Sequence, residues 1–223
     1  MALSRTQINQ LGDRLRTGPF TDLDRELLLE YRASFLPAYR HVVESIRTQL
    51  QIDPTGRPEK TPESIIAKLR RTSIELGRMQ DIAGCRITVE DIPEQNRALD
   101  RLSNLFPTAR IVDRRAAPSY GYRAVHLIAS VEKVTVEIQM RTIKQDLWAS
   151  ISEKVSDEFG VDLKYGGTPS GAEPARRMLD WSSSAIAYLE AGEADRSKSY
   201  GYEFNLGEAA AIMQLAAREG RLK

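Results

Sequence analysis

The stretch KVTVEIQMRTIKQDLW, residues 133–148, decides the fold. Its first half alternates apolar and polar residues with period two. Val134, Val136, Ile138 and Met140 face one side of a strand, and Thr135, Glu137, Gln139 and Arg141 the other. A carboxylate, an amide and a guanidinium thus line one face of a rigid element, with Thr142 next. Such a set suits a polyanionic or polyhydroxylated ligand, and it equally suits an edge strand with one wet face. The second half changes to helical spacing: Ile143, Leu147, Ile151 and Val155 recur along a helix expected from Thr142 to Phe159.

Upstream, Tyr122–Val131 reads as a strand that pairs with 133–141 through a tight turn around Glu132. Period-two spacing then puts Tyr122 and His126 on one face of it. Asp81–Glu90 reads as a turn into another strand, with Gly84 allowing a tight bend or a close backbone approach. Ala109–Val112 is a short strand, Asp91–Phe106 a helix, and 113–120 an irregular basic loop. Before these, Pro62 suits a first helical turn capped by Thr61. In that helix Ile65, Ile66 and Leu69 point inward, and Ser64, Lys68 and Arg71 share another side. Residues 53–58 are expected to be loop. Residues 4–50 read as helical, with Ser4 and Thr21 or Asp22 as caps and Pro37 kinking or interrupting the second run. The segment 163–171 reads as loop, 173–191 as a helix, and the stretch from Gly207 onward as a last one. The expected class is therefore α+β: a mixed β-sheet flanked by helices, with N- and C-terminal helical extensions.

Composition narrows the function. The chain has 223 residues, 41% of them hydrophobic, enough to bury a core. Lys and Arg number 32 against 31 Asp and Glu, so no bulk charge draws it to nucleic acid or membrane, and phosphate binding must come from local clusters. One cysteine, Cys85, excludes an internal disulfide and reads as a buried small group. With only two histidines beside it, a structural zinc site is not expected. His41 reads as a surface or packed residue. No apolar run has the length of a signal peptide or a membrane span, so a cytoplasmic protein with no membrane partner is expected. Trp148 and Trp181 read as core, Lys144 as a solvated helix residue, and Lys164 and Tyr165 as loop residues within reach of a ligand.

Three polar constellations remain. Lys60, Ser64, Lys68 and Arg71, with Arg57 upstream, concentrate cations. Asp81 and Arg86 flank the Gly84 turn. Tyr122 and His126 accompany Glu137, Gln139 and Arg141. Two carboxylates among Lys and Arg suit a Mg²⁺–nucleoside triphosphate, because magnesium takes oxygen ligands and keeps waters and substrate phosphates in its shell. A second carboxylate can accept the proton of an attacking hydroxyl.

The motifs TPESIIAKL (61–69), DIAGCRI (81–87), GYRAVH (121–126) and VEIQMRTIKQDLWA (136–149), in this order, resemble the synthetase domain of the RelA/SpoT family, which makes the alarmone (p)ppGpp from ATP. The resemblance implies a nucleotidyltransferase-like fold and one synthetase domain over 1–223: N-terminal helices 1–50, catalytic core 57–166, C-terminal helices 173–223. It implies that Arg57, Lys60, Ser64, Lys68 and Arg71 bind ATP and that Arg86 packs on adenine. Asp81 becomes a magnesium ligand. Glu137 becomes the base for the acceptor 3′-hydroxyl and assists the metal. Tyr122 stacks on the acceptor guanine, His126 lies on the acceptor side, and Gln139 and Arg141 support the strand.

The implied activity is a pyrophosphokinase acting on GDP, GTP or GMP. The absence of a His-Asp dipeptide and of length for a hydrolase domain fits a small stand-alone synthetase. The sequence departs from the family around the acceptor. Arg114 and Arg115 stand where lysines are common, Tyr120 where an Asn is common, and Ser152-Glu153-Lys154 where Glu-His-Lys often follows Trp-Ala. The second reading is therefore a toxic relative that modifies the tRNA 3′ end or makes (p)ppApp, with an antitoxin partner. A basic surface near the acceptor site would favour tRNA, and Arg110, Arg114, Arg115 and Arg123 are too few to decide it. A third is a non-catalytic nucleotide-binding module, against which the retention of both Asp81 and Glu137 argues. Small members often form homotetramers, and the amphipathic 173–191 helix is available for a homo-oligomer, tetramer or dimer, as it is for packing on its own sheet.

Overall fold

The computed structural model describes residues 3–159 and 173–194. The loop at 163–171, with Lys164 and Tyr165, and the helix from Gly207 lie outside them. The chain forms two compact units. Among the described residues, the first holds 3–89, 96–113 and 125–141, and the second 90–95, 114–124, 142–159 and 173–194.

The first unit begins with helices α1 (Arg5–Thr17), α2 (Asp22–Ala33) and α3 (Leu36–Leu50). Ser4 with Gln7 and Thr21 with Asp24 form reciprocal capping boxes. Pro37 interrupts rather than kinks the second run. Its ring has no N–H to give and clashes with the carbonyl four residues back, so a new helix starts at Leu36 with proline in its first turn. Helix α4 (Pro62–Arg71) is capped by Thr61 and buries Ile65 and Leu69.

A mixed five-stranded sheet follows from β1 (Thr55–Arg57), β2 (Ala83–Val89), β3 (Arg110–Asp113), β4 (Val125–Val131) and β5 (Val134–Thr142), in the order β1-β2-β5-β4-β3. Helix α5 (Ile92–Leu105) lies between β2 and β3 in the chain. β1 corrects the expected loop at 53–58. Its three exposed residues pair antiparallel with β2, Thr55 with Arg86 and Arg57 with Gly84, so it exists through backbone hydrogen bonds rather than side-chain pattern. In the β4–β5 hairpin, Val125 lies opposite Met140 and Val131 opposite Val134. Glu132 and Lys133 close it with φ of 49° and 74°, the left-handed pair of a two-residue hairpin turn. The alternating apolar residues of β2, β4 and β5 bury against α1–α4, and Val136, Ile138 and Met140 are fully enclosed.

A second correction concerns the start of β4. The strand begins at Val125, not Tyr122. Tyr120 and Gly121 both have positive φ, 50° and 87°. Ser119 and Tyr122 exchange backbone hydrogen bonds across them. The chain reverses there, before the strand begins.

In the second unit, α6 (Ile143–Phe159) packs on α7 (Glu173–Ala194) through Trp148, Ala149, Val155 and Leu179. Trp148 is core, as read from the sequence, and donates its indole N–H to the Leu179 carbonyl at 2.9 Å. Trp181 is not: it is 44% exposed. Ile143 and Leu147, 57% and 60% exposed, also miss the core. The inner side of α6 is instead Gln145, Trp148, Ala149, Ser152 and Val155, since a polar network occupies the first turn.

Candidate active site

Asp81, just before β2, is gripped from two directions. The Lys60 Nζ donates to its Oδ2 at 2.6 Å and the Lys68 Nζ to its Oδ1 at 2.7 Å. Lys68 comes from the exposed side of α4. Lys60 is buried in the connection between β1 and α4, and its backbone is fixed at both ends. Its N–H donates to the Ile82 carbonyl at 2.7 Å, and its carbonyl accepts from the Arg32 Nε at 2.6 Å. Arg32 in turn pairs with Glu59 at 3.2 Å. Burial pushes the Asp81 carboxyl up, but the Lys68 and Lys60 ammoniums outweigh it and hold it at about 2. Burial draws Lys60 below its ordinary value, against the pull of Asp81.

Glu137 projects from the middle of β5. His126 on β4 lies opposite Gln139 in register, which places its ring on the Glu137 side of the sheet. Its Nδ1 is 2.7 Å from the Glu137 Oε1, and the Gln139 Nε2 donates to Oε2 at 2.8 Å. Arg141 donates to the Gln139 Oε1 at 3.1 Å. Burial raises the Glu137 carboxyl, yet the hydrogen bonds from His126 and Gln139 prevail and keep it below the ordinary value, with the charge on Asp81 opposing them. A side chain on Gly84 would come 3.0 Å from the Glu137 carbonyl oxygen and 3.6 Å from its Cβ, so glycine lets β2 lie close against the backbone of Glu137. Cys85, one residue on, is buried with its thiol pushed up to about 12 by that burial and by Glu137, which leaves it no nucleophilic part.

The first unit therefore brings together Lys60, Lys68 and Asp81, and separately His126, Glu137, Gln139 and Arg141. Arg57 is exposed on β1, opposite Gly84. Arg86 is half-buried on β2, and Arg71 is exposed at the end of α4. Ser64 is turned to its own helix start, accepting a hydrogen bond from the Thr61 hydroxyl at 2.9 Å. Arg114, Arg115 and Tyr122 belong to the second unit, on the loop 114–124. Tyr122 packs there on the Trp148 cluster. Sequence reasoning missed Arg32, which reads as one more wet position on an amphipathic helix. It also missed Gln95, Gln145 and Glu190, whose partners lie far away in the chain.

The carboxylates and cations thus sit on or beside the strands of a sheet and on one helix, in a fold with known relatives. A family described as "Region found in RelA / SpoT proteins" matches residues 56–156. The uncharacterized protein Rv1366 of Mycobacterium tuberculosis is 38% identical over 146 residues, 61% of this chain; the chain spans 54% of its length. GTP pyrophosphokinase YjbM of Bacillus subtilis is 34% identical over 189 residues, covering 70% of this chain and 83% of YjbM. Among solved structures, small alarmone synthetase 1 of B. subtilis bound to its product pppGpp superposes with a TM-score of 0.57 at 27% identity, over 75% of this chain and 97% of that one. The chain belongs to the RelA/SpoT family.

Proposed function

We propose that the chain is an ATP-dependent pyrophosphokinase, a small alarmone synthetase that makes (p)ppGpp from GDP or GTP. The observation that carries this reading is Glu137 held ionised between His126 and Gln139, in the same unit as Asp81 with its two lysines. The likeness to a GTP pyrophosphokinase and to a synthetase bound to pppGpp supports it.

The acceptor 3′-oxygen attacks the β-phosphorus of ATP. The new O–P bond forms as the bond from the β-phosphorus to the oxygen shared with the α-phosphate breaks, and AMP leaves with that oxygen. The hydroxyl proton passes to Glu137, whose two hydrogen bonds aim a carboxylate oxygen at the acceptor. A base held below its ordinary value is a weak one, so the proton moves as the O–P bond forms rather than beforehand. Lys60 and Lys68 offset charge on the phosphates. Arg57 and Arg71 extend that cationic side, and Arg86 stacks on adenine. Tyr122 stacks on the acceptor base, with Arg114 and Arg115 beside it in sequence.

The donor set suits Mg²⁺. Asp81 and Glu137 are oxygen ligands, both held ionised, and near enough that Asp81 works against the charge on Glu137. Those two residues would hold the ion, which would supply positive charge to offset that of the phosphates. We place the activity in the cytoplasm; among the described residues no helix is long and apolar enough to cross a membrane.

Incubation with labelled ATP and, separately, GMP, GDP, GTP, ATP or deacylated tRNA tests the proposal. Label is expected on GDP and GTP. Label on tRNA or ATP alone would replace it by the second reading, with its antitoxin.

A further inference from the structure

Helix α7 lies beyond the family match at 56–156, yet it is tied to the loop 114–124 directly at Ser183 and, through Gln145 and Gln95, from Glu190. The Ser183 hydroxyl donates to the Gly121 carbonyl at 2.6 Å and accepts from the Arg123 Nε at 3.3 Å. Gly121 has no room for any other residue there: a Cβ would meet the Trp148 ring at 2.7 Å and the Ser183 Cβ at 3.2 Å. Arg123 also donates to the Arg115 carbonyl, which folds the loop back on itself. Glu190 is a carboxylate only 4% exposed. It accepts from the Thr142 hydroxyl at 2.5 Å and from the Gln145 Nε2 at 3.0 Å. The Gln145 Oε1 accepts from Gln95 at 3.0 Å, and Arg115 reaches the Gln95 Oε1 at 3.4 Å. Burial lowers Arg123 from its ordinary value and the charge on Glu190 opposes this, so the carboxylate also faces the loop electrostatically.

A buried carboxylate is costly unless its partners are fixed, and this one spends both oxygens on ordering its neighbours. The loop it reaches has left-handed backbone at Tyr120 and Gly121, a conformation that persists only where the surroundings impose it.

We infer that Ser183 and Glu190 are positioning residues that set the shape of the loop carrying Arg114, Arg115 and Tyr122, and through it the affinity for the acceptor nucleotide. This rests on the reading of that loop as the acceptor's. It assigns acceptor selectivity in part to a helix outside the matched family region.

The test is steady-state kinetics of the full chain with ATP and GDP or GTP, comparing Ser183→Ala, Glu190→Gln and Tyr122→Ala. Each α7 variant is expected to raise the acceptor KM about tenfold while the ATP KM stays within about twofold and kcat at saturation is largely kept. Equal loss in both KM values, or a lower kcat with neither KM changed, would make the two residues structural only and overturn the inference. If Tyr122→Ala raises the acceptor KM and neither α7 variant does, the inference fails and the acceptor reading stands. If Tyr122→Ala leaves the acceptor KM unchanged, the acceptor reading fails and takes the inference with it. Should Glu190→Gln not fold, Ser183→Ala, which removes one hydroxyl, decides alone.

Discussion

Glu137 and Asp81 are ionised for different reasons, and that difference predicts different phenotypes. Glu137 is held by its side-chain contacts with His126 and Gln139. Glu137→Gln keeps the shape and removes the proposed proton acceptor. Pyrophosphate transfer is expected to fall by about two orders of magnitude or more with little change in the thermal midpoint. Near-normal turnover would remove Glu137 from the mechanism. Asp81 is held by two ammoniums, so its replacement also costs stability. Its folded value, about 2, lies below the ordinary 3.8. The carboxylate thus contributes stability above about pH 4, lost as pH falls toward 2. Linkage puts this at about 2 kcal/mol. Asp81→Asn is expected to lose transfer, to unfold more easily at neutral pH, and to flatten the acid limb of a pH–stability curve measured by denaturant titration. An unchanged acid limb would show that the lysine contacts carry no net stabilisation.

At the scale of elements, what was legible in the sequence was what side-chain period announces. The alternation in β5 identified both its faces, and the tight hairpin with β4 placed His126 beside Glu137. β1 was hidden because Thr55, Gly56 and Arg57, between Pro54 and Pro58, carry no apolar period. The false start of β4 had the opposite cause: residues 122, 124 and 126 keep the alternation although the chain turns at 120–121. The contacts of Arg32 with Lys60 and of Glu190 with Thr142 span 28 and 48 residues, and no local pattern encodes a partner at that range. Helix α6 misled because Ile143 and Leu147 repeat at helical spacing on its exposed side. One packing contact supports the hidden strand. A Cβ on Gly56 would meet the Tyr39 hydroxyl oxygen at 2.2 Å. Gly56→Ala is therefore expected to displace β1, lowering stability by about 1–3 kcal/mol and raising the ATP KM through Arg57. Tyr39→Phe in the same chain should recover part of the loss. A double mutant no better than Gly56→Ala alone would mean that the clash is met elsewhere.

At the scale of the whole molecule, opposite charges nearly cancel, with a formal net charge of +1, so no long-range field gathers nucleotides. In the proposed function, affinity for a triphosphate then depends on the few cations that meet it, and two of these are already engaged. In the free protein Lys60 and Lys68 are both paired with Asp81, at 2.6 and 2.7 Å, and its one negative charge offsets half of theirs. If Asp81 passes to the metal and the lysines to the phosphates, ATP arrives by an exchange of ionic partners within the protein rather than by shedding ions from solution. The ATP KM should accordingly rise only shallowly with added salt. In Asp81→Asn the two ammoniums lose their internal counter-charge and must borrow one from the buffer, so nucleotide binding, followed by calorimetry across a salt series, should become much more sensitive to ionic strength. Equal slopes for the two proteins would show that the lysines do not change partners.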